Sequence, residues 1–333
     1  MIRPRALFLL AVAAAPLGVL SPSRVSGQEQ FQYETDLVAK RRIFESVGAG
    51  FRTIRRGPGG TYYILTAPAP ALFIYDGTGK RVGQVPAAAT KGAALVYGDS
   101  FDVDREGRVA VCDRGATSVK LYSRDGALLV AIPISIAASV ALLPSDEVAV
   151  VTPGLDKLVT VYDLNGKVVR DYGEPEQIAD APDVNRLANF GHILSDDSSN
   201  TYLAFDFLPE PTMRKFDSAG YLSAEISLAT LEFQAPAQAA RRVIAGSDRA
   251  SPALHRIITA IGLDPQSQDV WLAIGTQLMQ FDKDGKRLAT FRTYMPGGAR
   301  LESISILVEP TRLLIGSDAQ GIYEFLRPGK NSP

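Results

Sequence analysis

Residues 119–132, VKLYSRDGALLVAI, read as two short strands joined by a tight turn. Val119 to Tyr122 ends on an aromatic, Ser123 to Asp125 carry turn-forming side chains, and Gly126 stands where the backbone needs φ > 0 before the second strand begins. The same arrangement of an aromatic followed four residues later by Gly recurs along the chain. It appears as YDGTG (Tyr75 to Gly79), YDLNG (Tyr162 to Gly166), FDSAG (Phe216 to Gly220), FDKDG (Phe281 to Gly285) and FLRPG (Phe325 to Gly329).

The glycine-to-glycine spacings are 47, 40, 54, 65 and 44 residues. The shorter ones match the roughly 40 to 50 residues of a four-stranded propeller blade, and the longer ones call for insertions. Around the second copy four strands can be placed: Ser100 to Asp104, Arg108 to Asp113, Ser118 to Tyr122 and Ala127 to Ile132. Period-2 alternation rich in Val, Ile, Tyr and Phe runs through all the copies. The expected fold is all-β: a six-bladed β-propeller of four-stranded antiparallel blades.

The last copy stops at its turn, so its fourth strand is unwritten. The alternating run EQFQYETDL, Glu29 to Leu37, is the expected donor. An N-terminal strand closing the ring in this way protects the edges that sheets must not leave bare.

Before that run, residues 1–27 have Arg3 and Arg5 at the front, an apolar stretch from Ala6 to Leu20, and a small-residue exit at Val25-Ser26-Gly27. This is the layout of a secretory signal peptide, and fifteen apolar residues fall short of the ~20 that span a membrane as a helix. The expectation is an exported chain, periplasmic or extracellular, with one propeller domain over 28–333. Membrane contact would come only through a partner or an uncleaved N-terminal segment. Cleavage takes the formal charge from −1 to −4. That balance, with no basic run carrying interleaved aromatics, argues against nucleic acid as a partner.

Cys112 is the only cysteine, so no internal disulfide can form, and its place in RVAVCD reads as a small buried hydrophobe. Trp271 reads as packing between blades, and GPGG at Gly57 to Gly60 as a turn. Two insertions break the rhythm: Glu174 to Asn189, polar and Pro-containing, and Phe233 to Arg256, with helix formers around Ala237 to Ile244. Loops of this length in compact domains are usually functional or disordered.

With Asp104, Gly107, Asp113, Tyr122 and Gly126 in order, the second copy resembles an NHL-type repeat. The whole chain is similar to the secreted bacterial six-bladed propellers related to NHL-repeat and TolB-like proteins. That resemblance implies a disc around a central channel with two binding faces, in a group that includes sugar-lactone hydrolases, lyases and non-catalytic proteins that hold other proteins.

A lactonase-like hydrolase needs oxygen side chains converging on a divalent cation such as Ca²⁺ in the channel. The channel-lining candidates are Asp102, Asp104, His192 and Asp196, with Asp197 and Asp264 as further inner-strand carboxylates. Most of these aspartates also read as turn caps. With two histidines in all, and neither HExxH nor GxSxG, the sequence supplies no zinc triad or nucleophile elbow. No cofactor and no catalytic residues are therefore expected. Arg241, Arg242, Arg249 and Arg256 make the second insertion basic on an acidic protein, and they are the expected partner-binding residues. The leading expectation is a non-catalytic extracytoplasmic scaffold binding a protein partner, as an extrinsic subunit of a respiratory, photosynthetic or transport complex. The alternatives are the metal-dependent hydrolase and a propeller binding a small ligand or glycan.

Overall fold

The computed structural model describes residues 24–26, 35–87, 92–227, 231–246 and 254–328. Three short strands lead in: β1 (Arg24–Ser26), β2 (Thr35–Val38) and β3 (Arg41–Ile43). Blade 1 is β4 (Phe51–Arg56), β5 (Tyr62–Thr66), β6 (Leu72–Tyr75) and β7 (Arg81–Val85), and blade 2 is β8 (Gly98–Val103), β9 (Val109–Asp113), β10 (Ser118–Tyr122) and β11 (Leu128–Pro133). Blade 3 is β12 (Ser139–Leu143), β13 (Glu147–Val151), β14 (Val159–Asp163) and β15 (Val168–Tyr172). After helix α1 (Pro182–Ala188), blade 4 is β16 (Gly191–Ser195), β17 (Thr201–Phe205), β18 (Thr212–Phe216) and β19 (Leu222–Ser227). After helix α2 (Leu231–Ala245), blade 5 is β20 (Ala260–Leu263), β21 (Val270–Ile274), β22 (Gln277–Phe281) and β23 (Arg287–Tyr294). Blade 6 is β24 (Ser305–Val308), β25 (Arg312–Ser317) and β26 (Gly321–Leu326), completed by β3. The chain is a six-bladed β-propeller, as the repeated hairpin implies.

Ring closure differs in detail from the expectation. The fourth strand of blade 6 is β3, pairing antiparallel with β26 through Ile43 opposite Ile322 and Arg41 opposite Glu324. The end of the alternating run, Thr35–Val38, lies instead as a fifth, parallel strand on β23 of blade 5. The closing strand has three residues, Arg-Arg-Ile, too few and too polar to show a period. Its partner does the selecting: Arg41 Nε donates to the buried Glu324 carboxylate at 2.7 Å. β1 adds a parallel fifth strand to blade 4. The expected leader falls in residues 1–27, of which only 24–26 are among the described residues; cleavage after Gly27 would remove β1.

The recurring hairpin has one chemistry. In four copies the Asp after the aromatic accepts two backbone N–H groups across the turn: Asp76 from Thr78 and Lys80, Asp163 from Asn165 and Lys167, Asp217 from Ala219 and Tyr221, Asp282 from Asp284 and Lys286. In the second copy Ser123 Oγ takes this place, accepting from Ala127 N–H at 3.1 Å. Gly79, Gly126, Gly166, Gly220 and Gly285 all have φ between 81° and 93°. Each hairpin also slips register at the aromatic, a β-bulge that twists the outer strand.

The core lies between the blades. Each of the six junctions holds its own apolar cluster, for example Trp271, Phe291, Ile306 and Phe325 between blades 5 and 6. Trp271 is fully buried, stacked on Phe291 at 5.8 Å, and Cys112 is buried between blades 2 and 3. Burial pushes the Cys112 thiol far up, so it stays protonated and inert.

The turn glycines also set blade spacing. A Cβ at Gly220 would lie 2.7 Å from the Tyr172 ring of blade 3, whereas one at Gly79 would find only ordinary contact, 3.8 Å from Phe44. Gly79→Ala should therefore cost about 1–2 kcal/mol for its left-handed backbone. Gly220→Ala should add about 1–3 kcal/mol of overpacking. Denaturant titration of the two variants side by side measures the difference, and equal losses would show that the close approach relaxes freely.

Candidate functional site

The inner strands β4, β8, β12, β16, β20 and β24 are neighbours around the axis and run parallel. Ser100 Oγ meets Ser139 Oγ at 3.3 Å near the starts of β8 and β12, and Asp102 accepts the Leu142 N–H at 2.9 Å nearer their ends. Antiparallel blades then place every motif turn on one face, the hairpin face. The connections between blades fall on the other. Both insertions are such connections, β15 to β16 and β19 to β20, so both leave the same face and flank blade 4. Sequence spacing alone did not place them together.

The first insertion is a fixed structure. Asn185 of α1 accepts the N–H groups of Ile178 and Ala179 at 2.8 and 2.9 Å and donates to Gln177 Oε1 and Ala179 O. Asn189 accepts the Glu176 N–H at 2.7 Å. Between this wall and the Gly154–Leu155 loop of blade 3 lies an open cleft of about 700 Å³, bordered by Ile178, Asp180, Pro182 and Arg186. Leu155 is 55 % exposed on its rim. In the second insertion, Phe233 and Ala240 of α2 belong to the apolar cluster between blades 4 and 5, Ala237 is buried as well, and Arg241 and Arg242 are exposed. The helix is longer than the helix formers Ala237 to Ile244 implied, and it accommodates Pro236 in its second turn.

The channel-lining candidates separate. Asp104 and Asp196 cap turns on the hairpin face. Asp104 accepts from Arg108 N at 2.8 Å and Nε at 2.5 Å, and Asp196 from the N–H groups of Ser198 and Asn200, both at 2.9 Å, and from Tyr202. Asp264 likewise caps its turn and pairs with Arg327; Asp197 pairs with Arg105. Asp102 and His192 lie on inner strands. Asp102 faces Arg55 of blade 1 at 3.6 Å. Burial pushes the Asp102 carboxyl up, and the Arg55 cation and the Leu142 N–H oppose it; burial likewise lowers the Arg55 guanidinium, opposed by Asp102.

His192 Nε2 stands 3.4 Å from Asp206 Oδ1 at the insertion-face end of blade 4, and both atoms are buried without a hydrogen bond. Asp206 Oδ2 takes Arg256 Nε at 3.0 Å, and its carbonyl accepts the Ile257 N–H at 2.6 Å. The expected partner residue Arg256 thus ties the end of the second insertion to the channel mouth. Arg241 pairs with Glu210 at 2.9 Å, and Arg242 donates to Gln238 O. Arg249 lies outside the described residues. Sequence reasoning missed Asp206 and Arg55: both follow or sit within ordinary strands and carry no motif. Among the described residues, no three His, Cys, Asp or Glu side chains come together as a metal-holding group.

The class of protein these features define is a six-bladed β-propeller with its motif turns on one face and both insertions on the other. No family model matches the chain, and no curated protein matches its sequence. Among solved structures it is similar to streptogramin B lyase, with a TM-score of 0.55 at 11 % identity over 85 % of each chain. It is similar also to hydrazine synthase from Kuenenia stuttgartiensis, with a TM-score of 0.54 at 12 % identity over 90 % of this chain and 99 % of that one. Virginiamycin B lyase from Staphylococcus aureus gives 0.52 at 12 % identity over 84 % and 85 %. At such identities the likeness is one of fold.

Two measurements test the channel. Arg55→Met or Asp102→Leu alone leaves a desolvated charge, at a cost of about 2–4 kcal/mol, while the double variant should recover most of that loss. Additive losses in a double-mutant cycle would show that the pair is not coupled. The second concerns His192, whose pKa is lowered below the ordinary 6.5 by burial, partly offset by Asp206. Its contribution to stability is complete above the unfolded value and is lost as pH falls through 6.5 toward the folded value. His192→Gln should flatten the stability profile in that acidic window, and an unchanged slope would assign it to other groups.

Proposed function

We propose that the chain is a non-catalytic, protein-binding propeller of the extracytoplasmic side, an extrinsic subunit that docks on another exported protein or a membrane-embedded complex through its insertion face. One observation carries the reading: the two segments that break the repeat leave the same face and flank the same blade. Strand parity sends every blade-to-blade connection to that face, and these two, the longest of them, are consecutive and so stand on either side of one blade. Their described parts are held in place, the first by Asn185 and Asn189 and the second by the buried side of α2. A pre-organised surface loses less entropy when a partner covers it. The leader-like N-terminus supports an exported setting. The channel's charged side chains support a structural role, because Arg55 and Asp102 answer each other.

The tagged full chain, purified from its native membranes in mild detergent, should travel with a stoichiometric partner that captures it in the reciprocal experiment. Arg241→Glu with Arg242→Glu should reduce recovery of that partner by roughly tenfold or more, as expected for charges at a docking surface. A chain that runs alone from every membrane preparation sinks the proposal.

A further inference from the structure

The end of the second insertion hangs on one carboxylate. Asp206, buried just after β17, accepts Arg256 Nε at 3.0 Å on Oδ2, and its main-chain carbonyl accepts the N–H of Ile257 at 2.6 Å. The guanidinium also lies over the Phe207 ring, 5.8 Å from its centre. The other carboxylate oxygen, Oδ1, faces His192 Nε2 at 3.4 Å, and neither atom has a hydrogen bond although both are buried. A neutral imidazole thus leaves half of the Asp206 carboxylate unanswered, and a proton on Nε2 gives that carboxylate a second cation to hold. The strands on either side of β16, β12 and β20, bring no titratable side chain to this point. The charges that reach the imidazole are those of Asp206, Arg256, Arg55 on β4 and Asp99 on β8.

We infer that Asp206 and Arg256 form a proton-sensitive latch: a proton taken up by His192 weakens the hold of Asp206 on Arg256 and frees the end of the second insertion. Two cations on one carboxylate repel each other, so each weakens the other's hold. The two are unequal in their freedom to leave. His192 is part of β16, paired with Ala204 of β17, and cannot move off without breaking the blade. Arg256 stands at the end of a connection and is 47 % exposed, so water can take over its charge at little cost. Linkage fixes the direction. Burial disfavours the charged imidazole, Arg256 and Arg55 add to that, and Asp206 and Asp99 oppose it. The repulsion by which Arg256 disfavours the proton is the same repulsion by which the proton disfavours a docked Arg256. The latch is therefore closed at neutral pH and opens as pH falls below the ordinary imidazole value of 6.5. Its bearing on docking rests on the reading that the insertion face binds protein; its existence does not.

Amide hydrogen exchange of the full chain tests the latch. After correction for the effect of pH on chemical exchange, the amides of residues 254–258 should open roughly fivefold or more often at pH ~5 than at pH ~7.5. His192→Gln should keep at both values the protection that the wild type has at the higher one. Arg256→Gln should be open at both. His255 is exposed beside Arg256 in the sequence, and His255→Gln should behave as the wild type. The reciprocal effect is read by NMR: with two histidines in the chain, the Cε1–H signal of His192 can be followed directly, and its midpoint should rise in Arg256→Gln. Equal protection at the two pH values, loosening that persists in His192→Gln, or an unmoved midpoint overturns the latch. None of these readouts uses a partner, so the latch can fail while the docking face stands, and the reverse. Where a membrane partner co-purifies, its recovery should fall at the lower pH for the wild type and hold for His192→Gln. The same response from both chains severs the latch from docking.

Discussion

Blade 6 closes the ring by pairing and side chains alone, since its outer strand β3, which leads on into blade 1, comes from the opposite end of the chain to β26. β3 pairs with β26, and Glu324 on β26 takes Arg41 at 2.7 Å and Arg312 at 3.3 Å. Arg312 reaches Glu309 at 2.5 Å and donates to the Tyr62 hydroxyl at 2.6 Å. Tyr62 in turn donates to Glu309 at 2.9 Å, which also pairs with Arg56 of blade 1. Burial raises the Glu324 carboxyl, but its two arginines outweigh that and hold it below the usual range. Beneath the polar layer, Phe44 sits edge-on to Tyr75 at 5.4 Å and packs with Tyr62 at 5.1 Å. With this junction intact, every other blade has a neighbour on both sides, and the inner strands keep the spacing that brings Asp102 to Arg55.

Much of this fold was legible because its signal is local and repeated. In five of the six copies the Asp or Ser after the aromatic answers N–H groups two to four residues on, so the turn chemistry is written within five residues and survives divergence around it. The strands of blade 2 were placed to within two residues from that anchor. The closing strand was not legible, because Arg41–Ile43 is chosen by Glu324 and Ile322, nearly the whole chain away. α1 was hidden for a similar reason: it begins at Pro182 and depends on Asn185 and Asn189 satisfying backbone groups of the preceding segment.

The candidate site was readable only where a residue type coincides with a strand position. Asp102 and Asp104 are two apart and share a parity, yet β8 ends at Val103, and Asp104 turns to cap Arg108 instead of lining the channel. His192 stands out in a sequence with two histidines. Asp206 does not, although it joins His192, Arg256 and the end of the second insertion. That the two insertions share a face follows from strand parity within four-stranded blades, once the ring and its closure are known.

The closing strand also orders events in time. Arg41 and Glu324 are separated by 283 positions, so the contact that seals the ring spans almost the greatest loop this chain can form. β3 is made early but has no permanent partner until the last blade exists. During that interval the arm and the bare β26 edge are both open to wrong pairing. Topology of this kind makes folding slow and late, with the ring sealed only once the whole chain is available.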